Sequence, residues 1–368
     1  MKTLRRLIHT EIIRAVAFVT LGFLSLFFFF DLVDELSVVG KGVGKGYQFS
    51  TALLYVALQV PSHLYELLPI AVLIGGVFVM ARFAQSSEFT ILRTSGLGPW
   101  LALRTVMQLG LVFVALTFFI GDYVAPPVDR VAQLLKARYL GLITVGQTGA
   151  WLKEHQPNAS FSVNVRALAP DGNMMGVRIF EFDASGYFKA QIQAARATFG
   201  PAGAWTLIDA ERTEFGMSGQ HVASISRVHT PELRWVNGIT GEMVSAAVLK
   251  PQRMKTLALF EYQRHLRANG QSAQRYEVEF WRKVFYPMSC LVMVVLALPF
   301  AYLHFRSGGV TGYVFGGVMA GISFFLLNNV FGFLGNVQNW QPWLTAAAPS
   351  LLYSVFSLAA FGWLVLRR

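Results

Sequence analysis

The chain has 368 residues, of which 54% are hydrophobic and only 14% are charged, and its mean hydropathy is +0.47. An ordinary soluble domain carries roughly 25% charged residues, so this composition excludes a soluble globular protein. Lys and Arg number 31 against 20 Asp and Glu, and in a membrane protein the positions of these charges matter more than their sum. The single cysteine, Cys290, excludes an intrachain disulfide and a cysteine-based metal site.

Three long apolar runs precede residue 123, at residues 12–30, 53–80 and 100–120. Basic residues precede the first run, as in a signal peptide, but Asp31, Asp34 and Glu35 stand where a small-residue cleavage site would be needed. We therefore predict that this run is an uncleaved membrane span. The second run would reach about 42 Å as a helix, which exceeds the roughly 30 Å hydrocarbon core of a bilayer.

Three further apolar runs without charges follow, at residues 284–303, 310–335 and 340–366. Six spans place both termini on the same side of the membrane. Ten Lys and Arg residues flank the spans on one side, whereas Lys41 and Lys45 are the basic residues of the short loops on the other. Because cytoplasmic loops carry the excess of basic residues, we predict cytoplasmic termini and an insert on the outer side.

The insert, residues 123–276, has a different pattern. Apolar and polar residues alternate along several short segments, and turn signals such as the Asp183–Gly186 sequence separate them. This spacing is typical of an antiparallel β-sandwich or an open barrel. A helix is predicted at residues 256–268, closed by Asn269 and Gly270.

Motifs for catalysis are weak throughout the chain. The sequence G-K-G-V-G-K-G at residues 40–46 lacks the spacing of a phosphate-binding loop and lies between two spans on the outer side. The seven histidines include no pair with the spacing of a metal site. We expect a non-catalytic subunit that binds neither metal nor cofactor, so any ATP and magnesium would be used by a separate ATPase.

Two polar groups lie at the depth of the spans. Asp31, Asp34 and Glu35 share a helix face, which suits either a carboxylate relay or simply the acidic outer end of the first span. His63 and Glu66 are three residues apart within the second span. Polar side chains at this depth normally face a cavity or a partner, so cavity lining and a structural polar contact are both open.

The loop at residues 82–99 predicts a short cytoplasmic helix, at about residues 84–96. Ser86 or Ser87 can cap it, and Glu88 in its first turn suits the positive end of the helix dipole. Phe89 and Leu92 share one face. Such a helix suits the groove of an ATPase, and an interfacial helix without a partner is the alternative.

Four sequence segments resemble one protein family. They are S-E-F-T-I-L-R-T-S-G at residues 87–96, Y-V-A-P-P at residues 123–127, L-V-M-V-V-L-A-L-P-F at residues 291–300, and the stretch at residues 259–283 that begins L-F-E-Y-Q-R-H-L-R-A-N-G. Together they resemble the lipopolysaccharide-export permeases LptF/LptG, with the helix before the fourth span closer to the LptG type. The resemblance covers essentially the whole chain.

This resemblance implies the fold and the partners. The expected fold is an α-helical membrane protein with six transmembrane helices (3+3) and a periplasmic antiparallel β-jellyroll insert. We expect a Gram-negative inner-membrane location and an LptF-like permease subunit, an LptB ATPase dimer and the single-span LptC as partners. The substrate would be lipopolysaccharide, extracted from the membrane and passed through the periplasmic domain toward the outer membrane.

The resemblance also assigns residues to functions. It places Glu88, with Phe89 and Leu92, at the ATPase contact, and Lys136 in the region that meets the phosphates of the lipid. Where members carry basic residues near the outer ends of the spans, this sequence has Asp31, Ser62 and Gln133. Phosphate recognition is then expected at Lys41, Lys45, Lys136 and Arg138, or on the partner subunit.

An apolar vestibule and its polar lining complete the candidate site. Phe324, Phe325 and Phe331 of the fifth span are candidates to line the vestibule beside His63 and Glu66, although helix packing and lipid contact are alternative roles. Phe161, Ile179, Phe180, Ile192 and Trp205 of the insert are expected to hold acyl chains or to form an ordinary core.

We predict three regions: residues 1–122 with three spans and the coupling helix, residues 123–255 as the β domain, and residues 256–368 with the connecting helix and three spans. The alternative function is a permease-like subunit of another ABC system, for lipoprotein release or mechanotransmission. Four spans around a periplasmic domain would favour that alternative, and six disfavour it.

Overall fold

The fold comes from a computed structural model that describes residues 2–40, 47–86, 91, 94, 96, 98–140, 149–169, 172–200, 204–218, 221–241, 243–244, 251–302 and 310–363. The chain divides into two compact units. The membrane unit comprises Met1–Glu35, Val56–Val128 and Glu277–Arg368, and the sheet unit comprises Leu36–Tyr55 and Asp129–Tyr276.

The predicted six spans are confirmed, because six helices among the described residues are long and apolar enough to cross a membrane. These spans are Arg5–Leu36, Phe49–Gln85, Pro99–Lys136, Gln274–Tyr302, Thr311–Val337 and Pro342–Phe361. The α-helices that form them are α1 (Lys2–Leu36), α2 (Phe49–Gln85), α3 (Pro99–Phe119), α4 (Ala125–Leu140), α6 (Gln274–Phe285), α7 (Ser289–Ala297), α8 (Val310–Val337) and α9 (Pro342–Phe361). Short 3₁₀ turns at Tyr286–Met288 and Leu298–Tyr302 border α7.

Helix α2 is the most buried span of the membrane unit. Its apolar residues are spread around the whole helix, with His63 and Glu66 among the polar exceptions, as expected of a helix largely surrounded by other helices. Two adjacent glycines allow close approach on two sides: a Cβ at Gly75 would lie 2.7 Å from the Val16 backbone nitrogen, and one at Gly76 would lie 2.8 Å from Ala297 Cβ. Small residues at such crossings let helix backbones pack tightly inside a membrane.

The third span continues beyond its apolar run at residues 100–120 and passes through Pro126 and Pro127. A π-helical turn at Ile120–Val124 connects α3 to α4, which contains both prolines. Proline lacks the N–H that a helix interior needs, but both prolines follow a turn in which the hydrogen bond runs from the Ala125 N–H to the Ile120 carbonyl. The first strand accordingly begins only at Ala150.

The predicted antiparallel β structure is also confirmed. The strands are β1 (Ala150–Gln156), β2 (Ala159–Leu168), β3 (Met174–Asp183), β4 (Phe188–Phe199), β5 (Ala204–Ser218) and β6 (His221–Val236). They form one six-stranded sheet in the order β1-β2-β3-β4-β5-β6, with every neighbouring pair antiparallel. Within the described residues the strands therefore follow a simple meander.

One face of this sheet carries the apolar core of the sheet unit. Ile179 and Trp205 are fully buried, and the Trp205 indole donates a hydrogen bond of 2.7 Å to the Ile239 carbonyl. Phe161 and Ile192 are buried beside them. Phe180 is not part of this core, because it lies on the opposite face, stacked on Trp151 with ring centroids 5.9 Å apart. Alternation along β3 separates Phe180 from its neighbour Ile179.

The predicted helix at residues 256–268 is confirmed as α5 (Thr256–Ala268), within the sheet unit. Gly270 follows it with φ +65°, a conformation that glycine adopts without strain. The side chain of Asn269 then accepts a 2.7 Å hydrogen bond from the His155 backbone N–H. The end of α5 is therefore attached to the edge strand β1.

Candidate functional site

His63 and Asp31 form the clearest polar pair of the membrane unit. The imidazole Nε2 lies 2.6 Å from Asp31 Oδ2, and the two side chains are 18% and 25% exposed. The His63 ring also lies 5.1 Å from the ring of Phe27. Of the two open interpretations of His63, the structure provides a structural polar contact between α1 and α2. It also accounts for Asp31, which now has a partner.

Glu66 belongs to a separate polar layer that joins four spans. Its side chain is exposed, and its backbone carbonyl accepts a hydrogen bond of 2.5 Å from the Tyr286 hydroxyl. In the same layer the buried ammonium of Lys283 donates to the Gly121 carbonyl at 3.0 Å. Arg282 donates to the side chain of Asn329 on α8 at 3.1 Å.

Lys283 and Arg282 are not among the site residues that the sequence predicts. The charged segment of α6 lies directly before the uncharged run that begins at residue 284. This position, at the start of a predicted span, is the sequence feature that could have identified them. Ionisable residues inside spans normally face the bundle interior and pair with one another or with backbone carbonyls. Arg282 fits this rule as well, since its Nη1 is 3.9 Å from Glu279 Oε2.

Of the predicted phosphate-binding cations, Lys136 is the one whose side chain is described. Its ammonium lies 4.5 Å from the centroid of the Tyr55 ring, within the range of a cation–π contact. Arg138 lies on α4, but its side chain is outside the described part of the structure. Lys41 and Lys45 lie outside the described residues altogether.

The three candidate aromatic residues of α8 have different environments. Phe324 is buried, and its ring meets those of Tyr286 and Tyr353 at 6.5 and 5.2 Å. Phe331 is half-buried, 6.3 Å from Trp340, and Phe325 is half-buried too. Phe324 therefore packs between helices, whereas Phe325 and Phe331 keep surface available to a ligand or to lipid.

The predicted ATPase-contact residues Glu88, Phe89 and Leu92 lie outside the described residues. Next to this segment, Arg82 of α2 forms an ion pair of 2.5 Å with Glu11 of α1. Gly96 has φ +100°, a left-handed conformation that favours glycine.

Outside the spans, two described groups on α5 have altered pKa values, and burial raises the pKa of the Tyr262 hydroxyl above its ordinary value. Burial lowers the pKa of His265 on α5 below its ordinary value, and the Glu154 carboxylate and the Lys153 backbone partly offset this effect. Glu154 also accepts a 2.9 Å hydrogen bond from the Gly238 N–H. These contacts link α5, β1 and the chain after β6 within the sheet unit.

Comparisons with known proteins agree with this architecture. The sequence model of the family described as lipopolysaccharide export system permease LptF/LptG matches residues 6–366. The chain is 28% identical over 368 residues to lipopolysaccharide export system permease protein LptG of Escherichia coli (strain K12), covering 99% of this chain and 98% of that protein. It is 27% identical over 369 residues to the protein of the same name from Haemophilus influenzae, covering 100% and 99%.

Proposed function

This chain belongs to the lipopolysaccharide export system permease family LptF/LptG, and we propose that it works as the LptG-type permease subunit of that export system. The observation that carries the proposal is the family match across residues 6–366, which includes all six spans and the sheet insert. In this role the chain takes lipopolysaccharide from the membrane and passes it toward the outer membrane.

The proposed assembly contains an LptF-like permease, two copies of an LptB ATPase and LptC. ATP and magnesium would act in the ATPase, because the phosphate-loop-like G-K-G-V-G-K-G segment lacks the required spacing. Helices α1 and α8 are the least buried of the six spans: only 11% and 22% of the residues in their most apolar segments are buried. Their exposed apolar faces suit contact with acyl chains and with the spans of partner subunits.

The proposed orientation has cytoplasmic termini and a periplasmic sheet in a Gram-negative inner membrane. Ten basic residues at the cytoplasmic ends of the spans, against two in the outer loops, support it. Reporter fusions after Arg93 and Arg306 should be active only as cytoplasmic reporters, and a fusion at Gly172 only as a periplasmic one. A cytoplasmic signal at Gly172 would contradict the orientation.

The central test is transport by the assembled complex. The chain should be expressed with its neighbouring reading frames, purified and placed in liposomes that contain lipopolysaccharide. We expect a co-purifying ATPase and ATP-dependent release of lipopolysaccharide to a soluble acceptor protein. Release of lipoprotein instead, with lipopolysaccharide retained, would favour the alternative class of ABC system.

A second test addresses coupling. We propose that Glu88, with Phe89 and Leu92, contacts the ATPase. The Glu88→Arg variant should insert into the membrane normally but lose ATP-driven export, because the reversed charge repels a basic groove. Glu11→Gln, which removes a charge from the nearby ion pair with Arg82, is the matched control and should keep the ATPase bound. If the Glu88→Arg variant exports lipopolysaccharide normally, the ATPase contact is contradicted, and the alternative of an interfacial helix without a partner remains.

A third test addresses the lipid phosphates. We propose that Lys136 and Arg138 bind them, and that Lys41 and Lys45 are the next candidates. Charge-assisted contacts to phosphate contribute roughly 1.5–3 kcal/mol each. Lys136→Gln with Arg138→Gln should therefore slow lipid extraction at least about tenfold, since tenfold corresponds to about 1.4 kcal/mol. Photocrosslinking from both positions should capture lipopolysaccharide, and Leu351 on α9 is the uncharged control. An unchanged extraction rate without crosslinks would contradict phosphate binding by Lys136 and Arg138, and Lys41 with Lys45 would be the next pair to test.

A further inference from the structure

The polar face of the sheet contains a trough that the proposed function does not use. Its volume is about 800 Å³, and more of its lining is polar than apolar. One row of residues crosses all six strands beneath it in consecutive register: Trp151, Asn164, Arg178, Gln193, Glu211 and His229. At about 4.8 Å per strand this row is about 24 Å long, which is enough for several sugar rings.

Two arginines of the trough lack a carboxylate partner in the described part of the chain. Arg166 and Arg178 are both exposed, and no described carboxylate lies within ion-pair distance of either. Gly176 makes room for Arg166, because a Cβ at Gly176 would lie 3.1 Å from Arg166 Cβ and 3.3 Å from its Cδ. The stem of Arg166 therefore lies across the sheet, and its guanidinium is left available.

The two acidic groups of the trough already have basic neighbours on β6. Glu211 Oε1 lies 3.0 Å from Arg227 Nε, and Asp209 Oδ1 lies 3.5 Å from His229 Nε2. Arg227 offsets the charge of Glu211, and both acidic groups lie on β5, whereas Arg166 and Arg178 lie on β2 and β3. The β2–β3 part of the trough therefore carries two arginines without a described carboxylate partner. Planar guanidinium groups of this kind bind phosphate and carboxylate through two parallel hydrogen bonds.

An aromatic platform lies at the β1–β3 side of the trough. Trp151 is 51% exposed and is held by stacking on Phe180, with 19° between the two rings. An exposed, immobilised indole beside amide and guanidinium donors suits a sugar ring, whose apolar C–H face can cover the indole while its hydroxyls meet the polar groups. Gln193 supplies both a donor and an acceptor in the middle of the row.

The backbone at the opposite side of the trough is unusual. Asp209 has φ +56°, a left-handed conformation that few residues other than glycine adopt, and it lies in β5 on the trough lining. It falls between the β5–β6 pairs Ile208–Glu232 and Ala210–Thr230, opposite Pro231. Backbone strain in a regular element is more common at binding sites than elsewhere.

We propose that this trough binds the anionic saccharide portion of the exported lipopolysaccharide, with Arg166 and Arg178 on its phosphate or carboxylate groups and Trp151 against a sugar ring. The inference rests on the proposed function and names which part of the substrate the sheet unit holds. The polar lining of the trough disfavours acyl chains as its occupant, and the two arginines of its β2–β3 part complement an anionic sugar.

The test uses the whole co-expressed complex in lipid nanodiscs and two probes: lipopolysaccharide with its core oligosaccharide, and lipid A without it. The double variant Arg166→Gln/Arg178→Gln should bind the complete lipid about tenfold more weakly and bind lipid A like the parent. Arg196→Gln/Arg234→Gln, two exposed arginines of the same sheet outside the trough lining, is the matched control and should bind both probes normally.

A photocrosslinker at Gln193 should capture the complete lipid, and one at the exposed turn residue Tyr187 should not. Trp151→Ala should reduce binding of the complete lipid, with the exposed Tyr187→Ala as its control. Thermal unfolding of each variant shows that its sheet is intact. Two outcomes would overturn the saccharide site while leaving the export function standing. In the first, the double variant binds both probes as tightly as the parent does; in the second, its binding of both probes is weakened equally. If the parent binds neither probe, the export function itself fails, and the inference fails with it.

Discussion

Replacing Gly75 by alanine tests whether the close crossing of α1 and α2 organises the membrane unit. The added Cβ would lie 2.7 Å from the backbone nitrogen of Val16, 2.9 Å from its Cα and 2.9 Å from its Cγ2. The shortest of these distances is about 0.8 Å inside the roughly 3.5 Å at which carbon atoms attract each other. Because two of the three atoms belong to the backbone, no rotamer change removes the clash, and the helices must separate.

Overpacking of this kind typically costs about 1–3 kcal/mol. Gly22→Ala in α1 is the matched control, because a Cβ at Gly22 would have no neighbour within 4 Å. That change should be neutral or stabilising by up to about 1 kcal/mol, since alanine favours a helix more than glycine does. Adding Val16→Ala to Gly75→Ala should recover only part of the loss, because it removes Cγ2 and leaves both backbone atoms.

The measurement is the unfolding midpoint of the purified complex in detergent, with cysteine crosslinking between α1 and α2 as the readout of their separation. Equal stability of Gly75→Ala and Gly22→Ala would refute the argument. Full rescue by Val16→Ala would also refute it, since the clash would then have come from the side chain alone.

Three further predictions concern single contacts. Asp31→Asn should lower the unfolding free energy by about 1.5–3 kcal/mol, because His63, which lies at the depth of the spans, loses the carboxylate partner of its 2.6 Å hydrogen bond. Trp205→Phe should destabilise the sheet unit by about 1–3 kcal/mol in chemical unfolding, because the Ile239 carbonyl loses its donor. Since burial lowers the pKa of His265, the unfolded chain takes up its proton first, so stability should fall as the pH drops below about 6.5; His265→Gln should reduce this loss in unfolding experiments between pH 7 and 5.

The six spans could be predicted from the sequence because each is a long apolar run with few charges. Such a run crosses the hydrocarbon region by its own composition, so the prediction does not depend on contacts with distant residues. The helix at residues 256–268 was equally readable, since Asn269 and Gly270 mark its end locally. Phe180 is a residue whose position could not be predicted from the sequence in this way. Its apolar side chain predicted a core position, and only the register of β3 with β2 and β4 places it on the opposite face, against Trp151.

The candidate site was less predictable for the same reason. The sequence marks His63 as a polar group at membrane depth, but its partner Asp31 lies 32 residues away. For Asp31 the sequence allows either a carboxylate relay or the acidic end of a span. Phe324 could not be told from Phe325 by composition, because their environments depend on Tyr286 and Tyr353 of other helices. Partners that are distant in sequence decide what a polar or aromatic side chain within a span can do.

Lys283 and the π-helical turn before α4 explain each other. An ionised lysine at membrane depth costs about 2.5–3.5 kcal/mol when it has no partner, and a π turn displaces the ordinary pairing of helix carbonyls. Here the buried ammonium donates to the Gly121 carbonyl within that turn. Gly121 lies within the third span and Lys283 within the fourth. Their hydrogen bond therefore joins the third span to the fourth inside the membrane unit, and it gives the buried ammonium the backbone acceptor that its position requires.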